Sequence, residues 1–229
     1  MNARRRILAA SLAAASLALF GPQAFAQTPK VLKISHQFPG GSIDEGDFRD
    51  RMVRKFAAEV EKRTNGQLKF EIYPGGSLVK PVEQWGAMAN GSLDMSLYPL
   101  AYAGGRVPEL HIGLMPALVT SYEQGLRWKD APIGKELTRI VEEKGVKIVT
   151  WVWQAGGIAS RGKPILQPDD VKGLKFRGGS KEMDMMLKAA GASPTNVPSS
   201  EIYNAMQSGV LDAALTSSTS LISFRLHEH

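Results

Sequence analysis

Two stretches of this chain, set 118 residues apart, carry one pattern. Pro81–Leu97 reads PVEQWGAMANGSLDMSL and Ser199–Leu215 reads SSEIYNAMQSGVLDAAL. Aligned without gaps, Glu83, Ala87, Met88, Gly91, Leu93, Asp94 and Leu97 meet Glu201, Ala205, Met206, Gly209, Leu211, Asp212 and Leu215, and Trp85 meets Tyr203. Each stretch predicts a helix, a glycine stop and a strand. Solenoid repeats recur every roughly 20–50 residues, so this spacing points to two similarly built lobes. The residues just past the two strands, Tyr98 and Thr216, then hold equivalent positions. In open α/β sheets ligands sit beyond the carboxyl ends of the strands, which makes the pair candidates for two walls of one cleft.

The remaining periodicity agrees with an α/β fold. Val31-Leu32-Lys33-Ile34 reads as a strand. Asp47 to Thr64 reads as an amphipathic helix with Phe48, Met52, Phe56 and Val60 as its stripe, Val53 and Ala57 beside it, and Asn65-Gly66 ending it. Leu68, Phe70 and Ile72 alternate with polar residues, as in a half-buried strand. Ile133, Leu137, Ile140 and Val141 mark a helix stopped at Gly145. Val146 to Trp153 reads as an apolar strand, Leu174 to Phe176 as a short one, and Ser180 to Ala190 as a helix.

The first 26 residues read as a removable leader. Arg4, Arg5 and Arg6 precede an apolar run from Ile7 to Phe20, and Ala24-Phe25-Ala26 forms a small-residue cleavage site. The run is too short for a membrane span. Arg-Arg before Ile7-Leu8 also resembles a twin-arginine signal, so the export route stays open. Cleavage before Gln27 removes three arginines and no acids, which lowers the formal charge from +6 to about +3. Charges of both signs are mixed, with no basic block interleaved with aromatics, and nothing here asks for nucleic acid. With no cysteine, disulfides, thiolate metal sites and cysteine nucleophiles are excluded.

The chemistry centres on Lys175-Phe176-Arg177-Gly178-Gly179-Ser180. An arginine leaves a strand, a Gly-Gly turn follows, and Ser180 is placed to cap the next helix. A guanidinium fork beside a helix start suits an anion, although an ion pair at the surface would explain Arg177 equally well. Arg161 is a second candidate from the same lobe. Trp151 reads as core or as a ligand-facing wall. Ser217 is a further wall candidate, and Phe38 and Gln154 are candidates from strand exits. There is no G-x-S-x-G, H-E-x-x-H, P-loop or G-x-G-x-x-G motif, and no cofactor or metal site is implied. His36 and His111 are isolated, His227 and His229 lie at the end, and Met183, Met185 and Met186 read as core filling and helix surface.

The chain resembles the DctP-type solute-binding proteins of TRAP (tripartite ATP-independent periplasmic) transporters. Carrying the resemblance are Phe56-Ala57-Ala58-Glu59-Val60-Glu61-Lys62-Arg63-Thr64-Asn65-Gly66, Phe70 to Leu78, Gly91 to Met95, Lys163-Pro164-Ile165, Asp170 to Arg177, Gly191 to Pro194, and Ser200 to Asp212. It implies an α/β, two-lobed periplasmic binding protein-like fold, with mixed sheets flanked by helices and a ligand cleft between the lobes. It further implies a monomer that captures a small organic carboxylate and hands it to the membrane subunits of a TRAP transporter, with no enzymatic step. The arginine at the place of Arg177 would pair with the carboxylate and that at Arg161 would assist. Closure would be a hinge motion near Trp153 and Leu215.

The domain reading that follows is a leader over 1–26, a first lobe over 27–152, a second over 153–215, and a segment returning toward the first lobe over 216–229. Two departures stand out. Where many relatives carry an amide- and acid-containing run after Asp212, this chain has Ala213-Ala214-Leu215-Thr216-Ser217-Ser218-Thr219-Ser220, which points to a different ligand subset. Relatives also continue past the point matching Arg225-Leu226, so the C-terminal part of the fold is expected to be missing. A phosphate or phosphonate binder, a periplasmic enzyme and a truncated, non-functional fragment are the competing readings.

Overall fold

Two sheets organise the protein, and a computed structural model describes residues 28–229 of it. The expected leader, 1–26, lies outside the described residues. The first sheet holds β1 (Lys30–His36), β2 (Leu68–Tyr73) and β3 (Met95–Leu97) in the order β2-β1-β3, all parallel. The second holds β4 (Gly156–Ser160), β5 (Lys175–Arg177), β6 (Ser193–Pro194) and β7 (Ala213–Ser217) in the order β4-β7-β5-β6. There β4 runs antiparallel to β7, and the other pairs are parallel. This is the expected mixed α/β arrangement.

The helices are α1 (Phe48–Arg63), α2 (Gln84–Ala89), α3 (Tyr122–Arg127), α4 (Pro132–Glu143), α5 (Lys181–Ala189), α6 (Ile202–Gln207) and α7 (Ser218–Ser223). Asp47 caps α1 by accepting from the Arg49 N–H, and Ser180 caps α5 by accepting from the Met183 N–H, the role foreseen for it. The strand at Leu68 to Ile72 and the helices at 81–90, 133–144 and 200–208 fall where the periodicity puts them.

The repeat is carried into three dimensions. Gly91 and Gly209 both take the left-handed conformation, with φ of 77° and 74°. Leu93 N–H donates to the Ala87 carbonyl, and Leu211 N–H to the Ala205 carbonyl, at 3.1 and 2.9 Å. Asp94 accepts from the Lys33 N–H, and Asp212 from the Lys175 N–H, both at 2.8 Å. In each lobe the repeated aspartate thus ties its own strand to the parallel neighbour.

Three cores follow. One gathers Trp85 of α2, Val107, Leu110 and Trp128 from the segments that follow β3, and Leu137 and Val141 of α4. The second sheet is covered on one side by Ile202, Met206, Leu211 and Leu226, and on the other by Val171, Phe176, Leu187 and Ala192.

The apolar segment Val146–Trp153 is not a strand. It runs unpaired between α4 and β4, and its side chains Val146, Ile148, Trp151 and Trp153 pack on the first core. Trp151 and Trp153 stack at 6.3 Å and both meet Trp128 edge-on. The stripe expected on α1 is also rotated. Its buried face is Arg49, Asp50, Val53 and Ala57, while Phe48, Met52, Phe56 and Val60 are half-buried. The chain touches the first lobe through Ser217 at the end of β7 and Ser220 beyond it, yet the segment that follows packs Leu221, Phe224 and Leu226 on the second core.

Candidate functional site at the seam of the two sheets

The carboxyl ends of β1, β3, β5 and β7 converge, and the residues that follow them meet across the seam. Arg177, the last residue of β5, is 4% exposed. Its Nε donates to the Val197 carbonyl at 3.0 Å and its Nη1 to the Leu215 carbonyl at 2.7 Å. Its Nη2 reaches the Tyr102 hydroxyl at 3.1 Å and Ser199 Oγ at 3.4 Å. Four of its five N–H groups are engaged, all with neutral acceptors.

Tyr102 comes from the other lobe. Its hydroxyl accepts from the Ser199 N–H at 2.9 Å and from Gln37 Nε2 at 3.4 Å, and it lies 3.0 Å from Ser199 Oγ. Gln37 follows β1, and its Oε1 accepts from the Ser200 N–H. An oxygen is therefore held here by a guanidinium, a backbone N–H and a side-chain amide from two lobes. Asp184 stands nearby on α5. Burial pushes its carboxyl above the usual range, against the pull of Arg177 and of hydrogen bonds from Asn196 and the Gly178 N–H.

A second buried guanidinium, Arg49, lies on the same seam and is 1% exposed. It differs in having its own carboxylate: Nη2 and Nε bind Asp47 at 2.5 and 2.9 Å. Burial alone would raise the Asp47 carboxyl, but its bonds to Arg49 and Ser223 and the charge of Arg49 hold it below the ordinary value. The Phe38 ring lies 3.8 Å beneath the Arg49 guanidinium.

The sequence-derived candidates divide accordingly. Phe38, Gln154 and Ser217 converge on Arg49. Arg177, Tyr98 and Thr216 border the Tyr102 cluster. Tyr98 packs edge-on to Tyr102 at 6.1 Å, and burial raises its phenol above the ordinary value. Thr216 is 9% exposed on β7, one residue beyond the carbonyl that Arg177 holds. Trp151 belongs to the tryptophan cluster of the first core. Arg161 does not join Arg177. It is exposed at the opposite end of β7, where its N–H meets the Asp212 carbonyl and its Nη1 the Met206 carbonyl at 2.6 Å. Its side chain terminates α6.

Gln37, Arg49, Tyr102 and Ser199 were not legible as site residues. One signal pointed to Arg49: a cation in the first turn of a helix opposes the helix dipole, so another interaction must hold it there. Among the described residues no cluster of His, Cys, Asp and Glu is arranged to hold a metal, and no helix is long and apolar enough to cross a membrane.

Comparison with known proteins gives the geometry a context. The family model described as bacterial extracellular solute-binding protein, family 7, matches residues 42–229. A solute-binding protein of Albidiferax ferrireducens is 66% identical over 205 residues, 90% of this chain and 60% of the relative. A crystal structure of a TRAP periplasmic solute-binding protein from Rhodoferax ferrireducens with bound malonate, also 66% identical, superposes with a TM-score of 0.85 over 86% of this chain and 62% of that one. A TRAP periplasmic solute-binding protein from Fusobacterium nucleatum with bound sn-glycerol 3-phosphate is 28% identical, with a TM-score of 0.75 over 87% of this chain and 64% of its own. The chain thus spans about three-fifths of the length of these relatives. It keeps their two-lobed α/β fold and belongs to the bacterial extracellular solute-binding proteins of family 7.

Proposed function

We propose that this chain captures a small organic carboxylate between its lobes, with Arg177 as the anchor, for delivery to the membrane permease of a TRAP transporter. The observation that carries this reading is the charge state of the seam. Of its two buried guanidiniums, Arg49 is bonded to the Asp47 carboxylate, whereas Arg177 bonds only carbonyl and hydroxyl oxygens, with the Asp184 carboxyl near it but not bonded to it. A buried cation bonded only to neutral acceptors is incompletely compensated for its desolvation, and a carboxylate in bonding contact supplies the missing ion pair. Its planar fork would bind the carboxylate through Nη1 and Nη2, taking over from the Tyr102 and Ser199 oxygens. The relative from Rhodoferax ferrireducens with malonate supports a carboxylate as ligand.

Within this proposal Tyr102, Ser199 and Gln37 position the ligand, Tyr98 and Thr216 line its surroundings, and Arg161 has no direct part. The lobes run over 27–152 and 153–215. Residues 1–26 direct export to the periplasm, and the protein acts as a monomeric binder, not as an enzyme. The relative with sn-glycerol 3-phosphate favours one second reading, a phosphate-bearing ligand on the same arginine. Thermal-shift titration with malonate, succinate, inorganic phosphate and sn-glycerol 3-phosphate tests both. Stabilisation by the carboxylates alone is the expected result; stabilisation by the phosphates alone transfers the site to the second reading.

A further inference from the structure

Arg49 does something that anion capture does not require. It is the second residue of α1, in the first lobe, with Asp47 on Nε and Nη2 and Phe38 under its face. Only Nη1 points elsewhere. It donates to Ser220 Oγ at 2.9 Å, Ser217 Oγ at 3.3 Å and Gln154 Oε1 at 3.4 Å. Gln154 lies where the chain enters the second sheet, two residues before β4, and Ser217 is where it leaves, the last residue of β7. The crossing and the end of β7 are also tied to each other. Ser218 N–H donates to the Ala155 carbonyl at 2.9 Å, and Gly156 faces Ser217 in the ladder. The crossing into the second lobe and the end of β7 beside it are therefore both fastened to one guanidinium seated in the first lobe.

We propose that Arg49 is the hinge pin of this protein, a positioning residue that sets the angle between the lobes. Hinge motions are absorbed by a few residues at element ends, and here those residues are held by a single buried ion pair. The hydroxyl-rich run at 216–220 acquires a role at the same time. Ser217 and Ser220, bonded to each other at 2.8 Å, are acceptors for the pin, which separates them from choice of ligand.

The chain has no cysteine, so paired spin labels can be placed without background, at Glu59 on α1 and Lys172 ahead of β5, both exposed. Interlobe distances are measured on the ligand-free full chain, so the outcome is independent of the carboxylate reading. Ser217→Ala/Ser220→Ala removes two of the three bonds from Nη1, leaving the one to Gln154, takes the Ser217 cap from α7 with them, and keeps Asp47–Arg49 intact. Asp47→Asn/Arg49→Met removes the charge pair together and serves as the second variant. Both are expected to at least double the width of the distance distribution, with the serine pair keeping its melting temperature within about 3 °C of the parent. Unchanged widths in both variants overturn the proposal, and so does broadening that appears only with a lower melting temperature, which would assign Arg49 to plain packing.

Discussion

Replacing Arg177 with methionine separates binding from folding, and the structure supplies both magnitudes. The fork would meet a carboxylate with two charge-assisted bonds while giving up two longer bonds, at 3.1 and 3.4 Å, to neutral oxygens. Truncating one partner of a buried charged pair costs about 2–5 kcal/mol of binding. At ~1.4 kcal/mol per decade this is a roughly 30- to 4,000-fold weaker Kd. Folding responds differently. Methionine leaves the Val197 and Leu215 carbonyls without a donor, at about 1–3 kcal/mol each. It also removes a buried guanidinium with no carboxylate bonded to it, whose desolvation costs several kcal/mol, of order 3 or more. Tyr102 and Ser199 still bond each other. The terms oppose, and the net change in stability is expected within ~2 kcal/mol. Isothermal titration with malonate and urea denaturation, run on the same preparations, read the two effects. A variant that binds malonate within about threefold of the parent refutes the assignment of Arg177 as anchor.

Three further outcomes follow from the geometry. Arg161→Ala should leave malonate affinity within about twofold, because that side chain is exposed at the far end of β7; a loss matching that of Arg177→Met would contradict its placement. Stability to urea should fall as pH drops below 6.5: burial lowers the His36 pKa despite the attraction of Asp50, so below the unfolded value of 6.5 the unfolded chain binds a proton the folded one refuses. The stability is present above 6.5 and drains toward the lowered folded value, and His36→Gln should flatten that slope, whereas an identical slope would exclude His36 as its source. Asp94→Ala and Asp212→Ala should each cost about 0.5–1.5 kcal/mol and add when combined, since each removes the same strand tie in a different sheet; a neutral effect at one of them breaks the equivalence of the repeats.

What the sequence made legible was local. The strands read at Val31–Ile34 and Leu68–Ile72, the Ser180 cap and the helix–glycine–strand unit within each copy of the repeat all depend on residues close together in the chain. Arg177 was legible because strand exit, glycine turn and helix cap adjoin it. Arg49 and Tyr102 escaped because their partners are remote: Ser220 lies 171 residues from Arg49, and Ser199 lies 97 from Tyr102. Polarity hid α7 and β4, whose residues Ser218–Ser223 and Gly156–Ser160 carry little apolar periodicity. Val146–Trp153 misled for the opposite reason. Its apolar run satisfies a strand pattern, but a strand also needs a neighbour, and its side chains answer to Trp128 instead. Arg161 was placed beside Arg177 by resemblance, while β7 sets the two at opposite ends.

The central claim is that a carboxylate is held by Arg177 between the lobes. Native mass spectrometry of the protein isolated from the periplasm, followed by identification of the released small molecule, addresses it directly. The account predicts one organic acid per chain in the parent and none in Arg177→Met. A phosphate ester in the parent, or the same acid retained by Arg177→Met, would contradict it.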